Sequence, residues 1–164
     1  MSKYSFVTTW HLPAMPETVW DTLMRGDEYS SWWRYMESHR LLNPEVTGVG
    51  SCSERTVRGR LPYTLRYRST VTSFDPPREM TYEAKGDLNG RGRLVVQPSP
   101  DGNGTVVVWY WDVETKGFWM NLLAPLLKGL FAWNHNQDMK EGERGLIRWL
   151  TAHASAPAQA SVQG

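Results

Sequence analysis

A chain of 164 residues, 40% hydrophobic and 21% charged, has the size and texture of one globular domain with a full core. Its net charge of +1 gives neither the basic footprint of a nucleic-acid binder nor a polybasic membrane patch, and the single Cys52 excludes an internal disulfide or a thiolate metal cluster. Nine Trp against four Phe points to broad half-buried surfaces, because an indole is too large to hide everywhere and its N–H seeks an acceptor.

The N-terminal MSKYSFVTTW lacks an uninterrupted apolar core, so no signal peptide is expected and a reducing cytoplasm is the expected compartment. Tyr4 to Leu12 has the aromatic and β-branched content of a strand. Pro13 ends it, and Pro16-Glu17 opens a helix in which Val19, Trp20 and Leu23 recur at helical spacing. A second short helix is predicted over Glu28–Tyr35, and Pro44, Gly48 and Gly50 mark loops. From Ser51 the pattern changes to period two. SCSERTVRG, PYTLRYRSTVTSF, EMTYEAKGD, RGRLVVQP and TVVVWYWDVET read as five successive strands, separated by the turn signals RLP, DPPR, LNG and SPDGNG. Such short links favour an antiparallel meander.

After Gly117 the pattern returns to helix until about Thr151, and residues 153–164 read as a small, polar, disordered tail beyond a single domain of residues 1–152. The greasiest stretch, Met120 to Trp133, is broken by Pro125, Lys128 and Gly129 and is too short for stable insertion across a bilayer. The chain is therefore α+β, one antiparallel sheet of five or six strands with one long helix to cover it. A sheet of that size curls, and a helix laid across its concave face leaves space.

On the long helix, at roughly 100° per residue, Phe131, His135 and Met139 follow Leu127 along one apolar arc, whereas Asn136 falls on the polar side and Asp138 on the edge of the arc. His135 thus points at the sheet, either as a core histidine with a buried hydrogen-bond partner or as a polar anchor in a ligand cavity. Metal ligation has little support, because the other histidines offer no HxxxH or HxH spacing and no carboxylate cluster. Gly142 and Gly145 each cost about 1 kcal/mol in a helix and mark a close approach of helix to sheet.

By alternation, Val107, Trp109, Trp111 and Val113 face inward, as do Leu65, Tyr67 and Val71, then Tyr82 and Ala84, then Leu94 and Val96. Most of these are core. The functional reading is a hydrophobic cavity lined by Leu127, Phe131, His135, Met139, Tyr67, Tyr82, Leu94, Trp109 and Trp111. Gly86, Gly90 and Gly92 are read as a hairpin turn with bulges and not as a phosphate loop, since no helix follows. No GxSxG elbow, reactive cysteine context or working acid pair is visible, so no catalytic residue is assigned beyond His135 as a candidate. No metal and no cofactor is expected.

The ordered series WHLPAMPETVW, EYSSWW, GRLPYTLRYRSTVTSFDPPREMTYEAKGDLNGRGRLVVQP, GNGTVVVWYWDV and MNLLAPLLKGLFAWNHNQDMKEGERGL, over roughly residues 3–151, resembles the START-like (SRPBCC) superfamily in its bacterial polyketide cyclase/dehydrase-like branch. The resemblance implies a helix-grip fold like that of START and Bet v 1 proteins, a curved sheet wrapped around the C-terminal helix with a cavity between them. It implies a small hydrophobic partner such as a lipid, polyketide or quinone. Three functions follow as expectations: a non-catalytic binder or carrier; a polyketide cyclase or dehydratase with His135 as acid/base and Asp138 or Tyr67 as its orienter; or an interaction protein whose cavity is filled by its own Trp side chains. The oligomeric state is not legible.

Overall fold

The computed structural model describes residues 2–115 and 124–154. In chain order the elements are β1 (Ser2–Leu12), α1 (Pro16–Met24), a 3-10 turn (Gly26–Glu28), α2 (Tyr29–Trp32), β2 (Met36–Leu41), β3 (Cys52–Val57), β4 (Leu65–Asp75), β5 (Glu79–Gly86), β6 (Leu88–Pro98), β7 (Thr105–Thr115) and α3 (Ala124–Ala154). The seven strands form one antiparallel sheet in the order β1-β7-β6-β5-β4-β3-β2. From β2 to β7 it is a meander of neighbours. Only β1 jumps, pairing with β7 over its whole length from Ser2↔Thr115 to Leu12↔Thr105. The sheet curls around α3 in a helix grip, with the short helices after β1 closing one end.

Several boundaries differ from the sequence reading. The helix expected over Glu28–Tyr35 is a 3-10 turn and a single turn of α2, after which the chain enters β2, a strand the alternation does not announce. β2 is an edge strand with one partner and a register shift between Met36 and Ser38, and most of its side chains face solvent, so no apolar period two is required of it. The LNG segment, expected as a turn, lies inside β6. The reversal is at Gly86, whose φ of 148° suits glycine, and at Asp87, whose side chain accepts the Arg66 backbone N–H at 2.8 Å. Nor does β6 carry bulges; its register with both neighbours is unbroken. Its glycines serve close contact instead. A Cβ on Gly90 would fall 1.9 Å from the Asp112 carbonyl oxygen, and one on Gly92 would strike the Tyr82 ring.

The main core lies between α1, α2, the C-terminal half of α3 and the sheet, and includes Trp10, Trp32, Trp33, Leu94, Val107, Leu146 and Leu150. A smaller cluster of Tyr4, Tyr67, Ala84, Leu88 and Val113 forms at the other end of the concave face, with Phe131 against it. The predicted inward set is buried or half-buried as expected, and Glu143 of α3 covers the β1 edge by accepting the His11 backbone N–H at 3.1 Å. α3 continues to Ala154, past Thr151; the proposed tail from 155 onward lies outside the described residues. Lys128, which falls on the apolar arc, is exposed.

Gly142 and Gly145 do mark close approach, but partly to a different element. A Cβ on Gly142 would meet Trp33 at 2.7 Å and Trp10 at 2.9 Å, and one on Gly145 would lie 1.7 Å from the backbone oxygen of Trp32. The helix is seated on α2 as much as on the sheet. Gly145→Ala should therefore lower the thermal midpoint, by about 1–3 kcal/mol of stability, despite a helix-propensity gain of about 1 kcal/mol. Circular dichroism melts measure this directly, and a raised midpoint would mean that α3 can shift off α2 at little cost.

Candidate functional site

Where the N-terminal half of α3 lies over the sheet, aromatic side chains hold the two apart and leave a cavity of about 120 Å³. Each wall has its source. β1 contributes Tyr4 and Phe6; β3 contributes Arg55 and Val57; the β3–β4 loop adds Tyr63. Tyr67, Tyr82, Leu88, Trp109 and Trp111 come from β4 to β7, and Phe131, Asn134, His135, Asp138 and Met139 from α3. Of the residues expected from sequence, His135, Phe131, Met139, Trp109, Trp111, Tyr67 and Tyr82 border this cavity. Leu94 does not; it is fully buried in the main core, opposite Trp109 in the β6–β7 register. The side chain of Leu127 lies outside the described residues.

His135 stacks on Phe6 with ring centroids 4.1 Å apart, and among the described residues no hydrogen-bond partner reaches its imidazole. Burial pushes its pKa down to about 4, so the ring is neutral at pH 7. Asp138 turns away from it. The Asp138 Oδ1 accepts the Trp33 indole N–H at 2.7 Å. Burial outweighs that bond and pushes the carboxyl up to about 7. Neither Asp138 nor Tyr67 is hydrogen-bonded to His135, so the expected acid/base pairing is not assembled.

The residue that sequence reasoning missed is Arg55. It sits on the inner face of β3, and its guanidinium lies over the Tyr82 ring at 5.2 Å, in the field of Tyr29 and Tyr67. No carboxylate among the described residues pairs with it; the Tyr67 and Tyr82 hydroxyls are close enough to act on its guanidinium, but its Nε is buried without a partner of good geometry. His39, its register partner on β2, stays neutral, its pKa lowered to about 3 by burial and then by Arg55 itself. The signal lay in SCSERTV, where Ser53, Arg55 and Val57 share one face; assigning that face to the interior would have exposed the oddity. Burial also raises the pKa of Tyr67 and Tyr82, and that of Tyr63 to about 12, so these phenols stay protonated. The Tyr4 hydroxyl and the Trp109 indole N–H are, like Arg55 Nε, buried and unpaired. Three hydrogen-bond donors thus stand at a mostly apolar space with nothing to donate to. The Tyr63 hydroxyl is a weaker case: it makes no hydrogen bond of good geometry, but the Asn134 side chain is close enough to act on it.

Among the described residues no three His, Cys, Asp or Glu side chains converge as metal ligands, and no helix is long and apolar enough to cross a membrane.

Two substitutions test this electrostatic picture. Because the folded pKa of Asp138 lies above its unfolded value, its contribution to stability is full below about pH 4 and is lost as pH rises toward 7. Asp138→Asn keeps an acceptor for Trp33 and removes the titration. The variant should match the parent near pH 4 and be the more stable at pH 8, by at most about 4 kcal/mol in urea titrations. Titration of His135, which acts in the opposite direction, is common to both proteins and cancels. His135→Leu strands no partner, so its stability should stay within about 1 kcal/mol of the parent at pH 7. A larger loss would reveal a hidden bonded partner.

A family model described as polyketide cyclase / dehydrase and lipid transport matches residues 3–147. No curated protein matches the chain significantly in sequence. Among solved structures, the chain is similar to the Zhui aromatase/cyclase of Streptomyces sp. R1128, with a TM-score of 0.77 at 14% identity over 96% of this chain and 99% of that one. It is also similar to TTHA0849 of Thermus thermophilus, with a TM-score of 0.73 at 20% identity over 93% and 100%. The di-domain ARO/CYC BexL of the BE-7585A biosynthetic pathway aligns with a TM-score of 0.69 at 16% identity, over 94% of this chain and 50% of that one. At such identities these likenesses concern the fold, whereas the family model spans nearly the whole sequence; the chain belongs to the polyketide cyclase/dehydrase and lipid-transport family of SRPBCC proteins.

Proposed function

We propose that the chain binds a small, planar, oxygen-bearing hydrophobic molecule in the cavity between α3 and the sheet. The observation that carries this reading is the set of three buried donors without partners: Arg55 Nε, Trp109 Nε1 and the Tyr4 hydroxyl. A buried donor left unpaired costs roughly 1–3 kcal/mol, and a ligand whose carbonyl or enol oxygens reach these groups would recover it. The aromatic walls suit a flat ring system. A volume of about 120 Å³ is below the roughly 300–1,000 Å³ typical of drug-sized ligands, which favours one or two rings, or one end of a longer molecule. The same remaining space argues against a cavity filled by the protein's own Trp side chains.

A second reading, cyclisation, draws support from Asp138. A carboxyl whose pKa lies near 7 in a cavity that also holds an Arg without a carboxylate partner can exchange a proton at neutral pH. An ionised Asp138 would take a proton from a carbon between two carbonyls, and Arg55 would steady the enolate oxygen. The enolate carbon would then add to another carbonyl of the same chain, and the new alkoxide would take the proton back from Asp138. Zhui, to which the fold is similar, is an aromatase/cyclase, and BexL is a di-domain ARO/CYC. In this reading the acid/base is Asp138 rather than His135, whose imidazole is stacked and neutral.

Equilibrium dialysis against lawsone, a hydroxynaphthoquinone, and against naphthalene tests the binding reading. Lawsone should bind at least about tenfold more tightly, and Arg55→Met should remove most of that preference. Equal retention of the two, or a preference untouched by Arg55→Met, would sink the assignment of the donors to a ligand.

A further inference from the structure

The cavity must open for any molecule to enter it, and its walls are not equally fastened. The sheet is a continuous ladder from β1 to β2, and α3 is clamped on α2 by Gly142 and Gly145. The β3–β4 loop, residues 58–64, is held differently. The β3–β4 ladder ends at Val57↔Leu65, and beyond it the loop's described backbone bonds are Arg58 N–H to the Tyr35 oxygen and one turn between Tyr63 and Leu61. Everything else that binds it to α3 and to Tyr35, in the link between α2 and β2, involves at least one side chain. The Arg60 backbone N–H donates to Asn134 Oδ1 at 2.9 Å, and Arg60 Nε donates to the Tyr35 hydroxyl at 3.0 Å. The Arg60 guanidinium also stands 6.0 Å from the Trp133 ring centre. From the inner side of the loop Tyr63 reaches into the cavity and rests against Phe131 at 5.5 Å.

We infer that the 58–64 loop is the door of the cavity, with Tyr63 as its inner panel and Asn134 and Arg60 as its latch; the inference rests on the reading that the cavity takes a ligand. Swinging this loop away from α3 breaks those few side-chain contacts and no strand pairing. It also withdraws Tyr63, which lines the cavity and packs against Phe131 of α3. Gly59 permits the closed state, since a Cβ there would lie 2.5 Å from the Asn134 amide oxygen. The latch joins the Arg60 cation and its backbone N–H to uncharged partners and is partly exposed, so losing one of its hydrogen bonds should shift the opening equilibrium by about fivefold. A latch that makes the same contacts with the cavity empty or occupied sets exchange rates without setting affinity.

The closeness of Gly59 to Asn134 supplies the test. A would-be Gly59 Cβ is 2.9 Å from Asn134 Cγ, within reach of a disulfide. In a Cys52→Ser background, Gly59→Cys with Asn134→Cys can be oxidised and reduced in the same sample, and lawsone uptake followed by stopped-flow tryptophan quenching. Oxidation should slow association and dissociation at least about tenfold, and reduction should restore both. Arg60→Ala, which touches the latch and does not line the cavity, needs no disulfide. It should raise both rates about fivefold while the equilibrium constant stays within about twofold. Unchanged rates in Arg60→Ala, or in a protein shown by mass to be cross-linked, would place the door elsewhere while leaving ligand binding intact. Absence of saturable lawsone binding at equilibrium in the parent protein would remove the binding reading, and the door with it.

Discussion

The contact on which the remaining structure depends is the seat of α3 on α2 and Trp10. Gly142 and Gly145 remove the side chains that would hold the helix off, so its C-terminal half comes down against the backbone of Trp32 and the rings of Trp10 and Trp33. Nothing comparable happens about two turns earlier in the helix. There, Phe131 meets Tyr4 at 5.6 Å and His135 meets Phe6 at 4.1 Å, so whole rings stand between helix and strand. A rigid rod pressed to the sheet at one end and propped by rings at the other must leave a wedge of space. Close packing elsewhere in the core keeps that wedge from collapsing.

The wedge is not an oily void. Its chemistry is set by one cation. Arg55 has no carboxylate among the described residues to answer it, and the groups around it are phenols and an aromatic face, which soften a charge without neutralising it. The surrounding titratable groups adjust to the same low-polarity environment. His39 and His135 stay neutral and Asp138 resists ionisation, each chiefly because burial disfavours its charged form. The cavity is therefore a donor-rich pocket with a net positive bias, suited to an oxygen that carries, or can acquire, negative charge.

The same physics separates structural from functional polar groups. Asp138 is tied to the Trp33 indole and so to α2, which lets helix seating and cavity electrostatics influence one another. Asn134, at the border of the cavity, reaches to the β3–β4 loop from the same helical turn as His135, which stacks on Phe6. One turn of α3 thus carries both the lining of the site and the fastening of its proposed lid. This explains why a greasy helix is interrupted by the run Asn134, His135, Asn136 and Asp138: only Asn136 is simply exposed.

Much of this was legible in the sequence because it depends on local period. Alternation in TVVVWYWDVET fixes which face of β7 is buried; helical spacing aims Phe131, His135 and Met139 at the sheet; two glycines in a helix announce a close neighbour. Other features depend on contacts that no local pattern encodes. β2 is a strand because it pairs along the free edge of β3, not because MESHRL alternates. Gly90 and Gly92 read as turn residues, yet they accommodate the backbone of β7 and the ring of Tyr82. Leu94 shares the periodicity of Trp109 and Tyr82 but lies toward the packed end of the sheet, and position along a strand, unlike face, is set by register. Arg55 was hidden for the same reason: a charge in a strand is ordinarily solvent-facing, and only the closure of the sheet around α3 turns this one inward and leaves it without an acid. Period is a property of the chain, whereas enclosure is a property of the assembled layers, and the site is made of enclosure.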